Sequence, residues 1–139
     1  MLSGARIVTF DGSPTHPSPD VLWRIAAEYR VTLLGTSPGY LRACALAGLD
    51  PGTAHDLTRL RSVGSSGSVL SPEAYHWVAD PVGPRVRVNS TTGGTDVVSS
   101  FAGGGPTVPV WPGELSGPRV GCGARRLGSG RQAGPRPGR

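Results

Sequence analysis

Between Val86 and Asp96 the chain reads Val-Arg-Val-Asn-Ser-Thr-Thr-Gly-Gly-Thr-Asp, an alternating strand pattern running into hydroxyls, glycines and a carboxylate. These residue types suit one kind of chemistry. Glycines let a backbone come close to a ligand, threonine hydroxyls donate to phosphate oxygens, and an adjacent carboxylate can hold the magnesium that travels with a nucleotide. The same composition also makes ordinary turns, because Ser, Thr, Asn and Asp bond their own backbone and Gly accepts turn dihedrals. The surrounding elements have to decide between the two.

Those elements alternate. Arg6-Ile7-Val8-Thr9-Phe10 reads as a buried strand, followed by a Pro-rich connection. Asp20 can then cap a helix with Val21, Leu22, Ile25, Ala26 and Tyr29 on one face. Val31-Thr32-Leu33-Leu34 is a second strand. Ser37-Pro38 supplies a cap and a first-turn proline for a helix carrying Tyr40, Leu41, Cys44 and Ala45, ending near Gly48. After the Asp50-Pro51-Gly52 turn, Leu60-Arg61-Ser62-Val63 is a third strand, leading into Gly64-Ser65-Ser66-Gly67-Ser68. Ser71-Pro72-Glu73 opens another helix through Tyr75, Trp77 and Val78, stopped by Asp80-Pro81, and residues 85–89 make the fourth strand. The pattern predicts an α/β fold with a mostly parallel sheet covered by helices.

In such a sheet, ligands gather beyond the carboxyl ends of the strands. The two glycine/hydroxyl segments, residues 64–68 and 90–95, each follow a strand directly. Both are expected to open on the same edge, and two convergent loops are harder to dismiss as turns than one.

Charge divides the chain in two. Residues 1–115 hold eight Arg against nine acidic side chains, whereas residues 116–139 hold six Arg, no acid, seven Gly and three Pro. The net charge of +5 therefore comes from the tail. A basic tail can serve as a nucleic-acid arm, but this one has no aromatic residue to stack on bases. It is read as disordered, or as translated out of frame from GC-rich DNA. The domain reading is a body over 1–115 and a Gly/Arg/Pro-rich tail over 116–139. Cys44 and Cys122 define neither a metal site nor a disulfide framework, which favours a reducing compartment. No apolar run is long enough for a membrane span and no signal peptide follows Met1, so the expected location is cytoplasmic.

The stretches FDGSPTHPSPDVLW (from Phe10), VGSSGSVLSPEAYHWV (from Val63), NSTTGGTDVVSSF (from Asn89) and PVWPGEL (from Pro109) resemble the acetoacetyl-CoA synthetases, or acetoacetate–CoA ligases. These belong to the acyl-adenylate-forming AMP-dependent synthetase/ligase superfamily. The resemblance covers residues 2 to 115, and its strength lies in four motifs in order. It implies part of a large N-terminal adenylation domain. It also implies a two-step reaction: ATP and acetoacetate give an acyl-adenylate and pyrophosphate, and the thiol of coenzyme A then displaces AMP.

By position, the resemblance implies that Gly67, Ser68 and Val69 line the adenine. It implies that Ser90, Thr91, Thr92, Gly93, Gly94 and Thr95 hold the nucleotide, with Thr95 on the α-phosphate. Asp96 stands where these enzymes usually carry Glu, as the Mg2+ ligand, and Val69 stands where they usually carry Pro. Acetyl-CoA synthetases resemble this loop but have tryptophans at Thr92 and Gly93, so Gly93 is expected to leave room for a longer acid. The implied catalytic pair is Thr95 and Asp96.

Other candidates read more simply. His16, His55 and His76 have no ligand spacing. Trp23, Tyr29, Tyr40, Tyr75 and Trp77 sit at core spacings, and Trp111 is expected to pack. Gly103-Gly104-Gly105 lacks the lysine and context of a phosphate loop. Enzymes of this superfamily also carry a phosphate loop ending in Lys, a ribose-binding Asp and a catalytic Lys in a small C-terminal domain. This sequence contains no Lys at all. The chain is therefore expected to be an internal fragment, inactive alone, with exposed sheet edges. The alternatives are a nucleotide-binding module without chemistry and a nucleic-acid binder acting through the tail.

Overall fold

The structure, a computed structural model, describes residues 4–105, 107–119 and 121. Four strands form one sheet in the order β1-β2-β3-β4, with β1 Leu33–Thr36, β2 Ser62–Ser65, β3 Arg87–Gly94 and β4 Ser99–Gly103. The β1–β2 and β2–β3 pairs are parallel; β3–β4 is antiparallel. The helices are α1 Val21–Glu28, α2 Pro38–Leu46, α3 Pro51–Ala54 and α4 Pro72–Ala79. The α/β, mostly parallel expectation holds, and the antiparallel fourth strand was not anticipated.

Strand register explains which side chains go inside. Leu34 pairs with Val63 and Val63 with Val88, so three apolar side chains share one face of the sheet. That face packs under α2 and α4, around Trp23, Leu41, Cys44, Val63, Leu70 and Val78. Trp23 is the hub: its ring centroid lies 6.2 Å from that of Tyr40 and 6.0 Å from that of Trp77, both tilted. Its indole N–H points to the Cys44 sulfur at 3.4 Å. Two residues further along the same face, the apolar pattern gives way to buried Ser65 and Ser90, which are also register partners. The core therefore turns polar at the carboxyl ends of the parallel strands.

Local signals account for the helices. Ser37 accepts from the Tyr40 amide at 3.3 Å with Pro38 in the first turn, as its sequence predicts. Asp50 caps the short α3, accepting from the Thr53 amide and hydroxyl, where a turn was expected. Asp20 makes no side-chain cap bond; its carboxylate faces His55 at 3.4 Å instead.

Two expectations fail. Arg6 to Phe10 forms no strand, and Ile7, Val8 and Phe10 are exposed. A strand satisfies its backbone only by pairing, and among the described residues no strand lies beside this segment. Tyr29 and Trp111 are exposed rather than packed, because α1 ends at Glu28 and Trp111 lies on an irregular segment. The expected open edge is present at β1, where Leu33 stands 62% exposed. Cys122 and most of the basic tail lie outside the described residues.

Candidate functional site

The polar end of the core opens into a cavity of about 620 Å³. One wall is the segment after β2, residues 66–70. The opposite wall is the second half of β3 with the hairpin that follows, Ser90 to Thr95 and Val98 to Ser100. A third is the short stretch Gly113, Glu114, Leu115. Nine of the ten predicted site residues meet here: Gly67, Ser68, Val69, Ser90, Thr91, Thr92, Gly93, Gly94 and Thr95. Asp96 is not among the lining residues; it sits next to Thr95 on the hairpin turn, exposed.

The predicted loop of residues 90–95 is for the most part not a loop. Residues 90–94 continue β3 and pair with β4, Thr91 opposite Gly103 and Gly94 opposite Ser99, with the register slipping between Thr92 and Gly93. Such an irregularity re-aims side chains at a sheet end, which is where sites are commonly built. Only residues 95–98 turn, closed by the Val98 amide on the Thr95 carbonyl at 3.2 Å. Val98 takes φ +49°, a left-handed conformation that is strained for a β-branched residue. Likewise Gly64 and Ser65 belong to β2, and the loop begins at Ser66.

The glycines are explained by the hairpin. A Cβ on Gly93 would collide with the backbone of β4, 2.9 Å from the Ser100 Cα. One on Gly103 would lie 2.7 Å from the Thr91 methyl, and one on Gly104 would meet the Asn89 amide. Gly93 is thus required by the close approach of two strands, independently of any room it leaves for an acid. Gly103-Gly104 is a spacer that lets β4 lie on β3.

The lining is dense in hydroxyls: Ser66, Ser68, Ser90, Thr91, Thr92, Thr95, Ser99 and Ser100. Thr91 turns its hydroxyl to the Ser65 carbonyl at 3.4 Å, tying the two main walls together. Glu114 is the one titratable residue among the lining residues, and none of them is cationic. Behind the wall lies Tyr75 of α4. Its hydroxyl donates to the Glu114 carbonyl at 3.2 Å, and the Ser90 side chain is its other polar neighbour. Burial raises the Tyr75 phenol above its ordinary range, and the Ser90 hydrogen bond partly offsets this. The strap leading to Glu114 is held further back by Arg87, which donates to the Gly105 carbonyl at 2.9 Å and the Val108 carbonyl at 2.5 Å.

Leu70, residues 98–100 and residues 113–115 were not foreseen as cavity lining. Ser99-Ser100-Phe101 has little strand signature, and Glu114 reaches the cavity only through tertiary folding. A second, smaller cavity of about 320 Å³ lies between α2 and α4 and shares Ser68, Val69 and Leu70 with the first.

Comparison with known proteins bears on the whole arrangement. A family described as "AMP-binding enzyme" matches residues 1–123. The chain is 44% identical over 118 residues to acetoacetyl-coenzyme A synthetase of Rhizobium meliloti, covering 85% of this chain and 18% of that protein. To the acetoacetyl-CoA synthetase of Gallus gallus it is 36% identical over 121 residues, again covering 18% of the relative. The chain therefore spans about a fifth of the length of these curated relatives. In three dimensions it is similar to acetoacetyl-CoA synthetase from Streptomyces lividans, with a TM-score of 0.72, 44% identity, and coverage of 78% of this chain and 17% of that one. The anthranilate CoA ligase AuaEII, solved in complex with anthranoyl-AMP, shares the fold at a TM-score of 0.70 and 23% identity, covering 83% of this chain and 21% of that one.

Proposed function

The chain belongs to the AMP-binding enzyme family, and from that premise we propose that its cavity is the nucleotide-holding part of an acetoacetate–CoA ligase. In the reaction so proposed, the acid and ATP give an acyl-adenylate with release of pyrophosphate, and the thiol of coenzyme A displaces AMP. The observation that carries this reading is the convergence of residues 66–70 and 90–95 on one hydroxyl-lined cavity at the carboxyl ends of parallel strands. Similarity to acetoacetyl-CoA synthetases supports acetoacetate as the acid.

In this reading Gly67, Ser68 and Val69 face the adenine, the hydroxyls of residues 90–92 position the nucleotide, and Thr95 donates to the α-phosphate. Asp96 fits a magnesium ligand: it is exposed beside Thr95 and has no ion-pair partner among the described residues. Mg2+ keeps most of its waters and takes one or two carboxylates plus substrate phosphates, so a lone Asp is a sufficient donor from this wall. The ion would neutralise phosphate charge. With no lysine in the sequence and no cationic residue in the lining, the charge developing on the α-phosphate lacks an ammonium to meet it. We therefore expect nucleotide binding without turnover by this chain alone, in a cytoplasmic, reducing setting.

Calorimetric titration with AMP, comparing the wild type with Thr95→Ala, tests the reading. Binding that weakens on loss of the hydroxyl supports it; no binding, or binding indifferent to Thr95, sinks it. A pyrophosphate-release assay with ATP and acetoacetate checks the second part, and release by the pure chain overturns the expectation of no turnover.

A further inference from the structure

Tyr75 holds one wall of the cavity through its hydroxyl without lining the cavity itself. Its ring is buried at 5% exposure on α4. The hydroxyl has polar neighbours in Ser90 of β3 and the Glu114 carbonyl of the 113–115 wall. Ser90 and Glu114 both line the cavity; Tyr75 does not. Residues 105 and 107–115 form no strand or helix that would hold them in place; the later Pro118 makes a β-bridge to Ala102. Side chains reach the strap's carbonyls, Arg87 at Gly105 and Val108 and Tyr75 at Glu114, and just beyond it the Gly103 amide donates to the Gly117 carbonyl at 2.9 Å.

We infer that Tyr75 is a positioning residue for the nucleotide, tying the Gly113–Leu115 wall to α4 through one hydroxyl. This rests on the nucleotide reading of the cavity. A wall without regular secondary structure that loses one of its few hydrogen bonds moves more freely, and a ligand gripped against it then bears the cost of ordering it. Glu114 sharpens the requirement. A carboxylate in a cavity that receives phosphates must be kept at a fixed distance from them, or the two negative groups repel.

The molecule supplies a matched control. Tyr40 is equally buried, and its hydroxyl donates to the Pro19 carbonyl at 2.8 Å, away from the cavity lining. The experiment compares Tyr75→Phe, Tyr40→Phe and wild type in the full chain, reading AMP affinity, the denaturation midpoint and amide exchange of residues 111–115. Loss of one such hydrogen bond corresponds to about fivefold in an equilibrium. Tyr75→Phe is expected to weaken AMP by about that factor and to speed exchange in residues 113–115. Tyr40→Phe is expected to lower the midpoint similarly with AMP affinity unchanged.

Equal loss of affinity in both variants, or unchanged affinity in Tyr75→Phe, overturns the inference while leaving the nucleotide site standing. A wild type that binds no AMP overturns the site reading itself, and this inference with it. Should Tyr75→Phe not fold, Arg87→Gln loosens the same strap from its other end. It must then weaken AMP, and an unaltered affinity refutes the positioning role.

Discussion

The sheet joins two regions built on opposite terms. In the parallel half, β1 to β3 under α1, α2 and α4, the fold is held by side chains: Trp23, Leu41, Val63 and Val78 fill the space between helices and sheet. In the β3–β4 hairpin it is held by backbones approaching each other, and the side chains between them are absent because the residues are Gly93, Gly103 and Gly104. The first region needs volume and the second needs its removal. The cavity sits on the seam, using rigid strands from one region and hydroxyl-bearing, exposed residues from the other. Such a division puts recognition where ordering is cheapest to alter and stability where it is most redundant.

The sharpest way to break the comparison is to empty the first region. Trp23→Ala removes the hub against which Tyr40 and Trp77 pack, and a loss of about 3–5 kcal/mol is expected in denaturant titration. A loss below about 1 kcal/mol, set against that range, means the core is not where stability resides. In the second region, Gly93→Ala drives a methyl into the β4 backbone. The global cost is expected to be smaller, about 1–3 kcal/mol as for other overpacked sites. AMP binding should nevertheless be lost, because Thr92, Gly94 and Thr95 shift with the strand. Calorimetry with and without AMP separates the two outcomes. Retained binding in Gly93→Ala erases the distinction between the regions.

The two regions also differed in how far their sequence announced them. Helices α1, α2 and α4 were legible from apolar spacing and Ser-Pro starts, as were the parallel strands, because each carries its own signal. Arg6 to Phe10 carries the same kind of signal and forms nothing, since pairing belongs to the neighbour as much as to the strand. The hairpin was misread as a loop through Thr95 because glycines and hydroxyls signal turns locally; here they serve strand-to-strand proximity. Ser99 to Gly103 has no strong β-propensity, and tertiary pairing imposes the conformation. Residues 67–69 and 90–95 nonetheless line one cavity, at the strand ends where the sequence led one to look. Glu114 was legible only as part of a motif without a role.

pH probes the core region through two buried groups beside Trp23. Burial pushes up the Tyr40 phenol and the Cys44 thiol, which pack against Trp23 and share the Pro19 carbonyl. A group with a raised folded pKa contributes stability that is complete below its unfolded pKa and lost as pH climbs past it. The thermal midpoint should hold to about pH 8.5, the ordinary thiol value, and fall beyond it. Cys44→Ala should flatten the first part of that fall. An alkaline limb identical in the variant argues that the thiol stays neutral in both states.

The smallest effect lies at the rim of the same region. Asp20 is held below the usual carboxylate range by the Ser18 hydroxyl first and by His55 and Arg24 after it, against a desolvation that pulls the other way. A lowered folded pKa means the contribution exists above the unfolded value and disappears as pH falls through the folded one. Asp20→Asn should therefore destabilise at pH 6 and be indistinguishable from wild type near pH 2. Because Asp20 is solvent-accessible, screening limits the difference to about 0.5 kcal/mol, within the range of exposed ion pairs. Added salt should shrink the His55 and Arg24 share and leave the Ser18 share, since a hydrogen bond is screened far less than a separated charge. A difference that vanishes completely in high salt would assign Asp20 to its charged neighbours and remove Ser18 from the account. One that persists ties the 18–20 turn to the entry of α1, the helix that delivers Trp23 to the core.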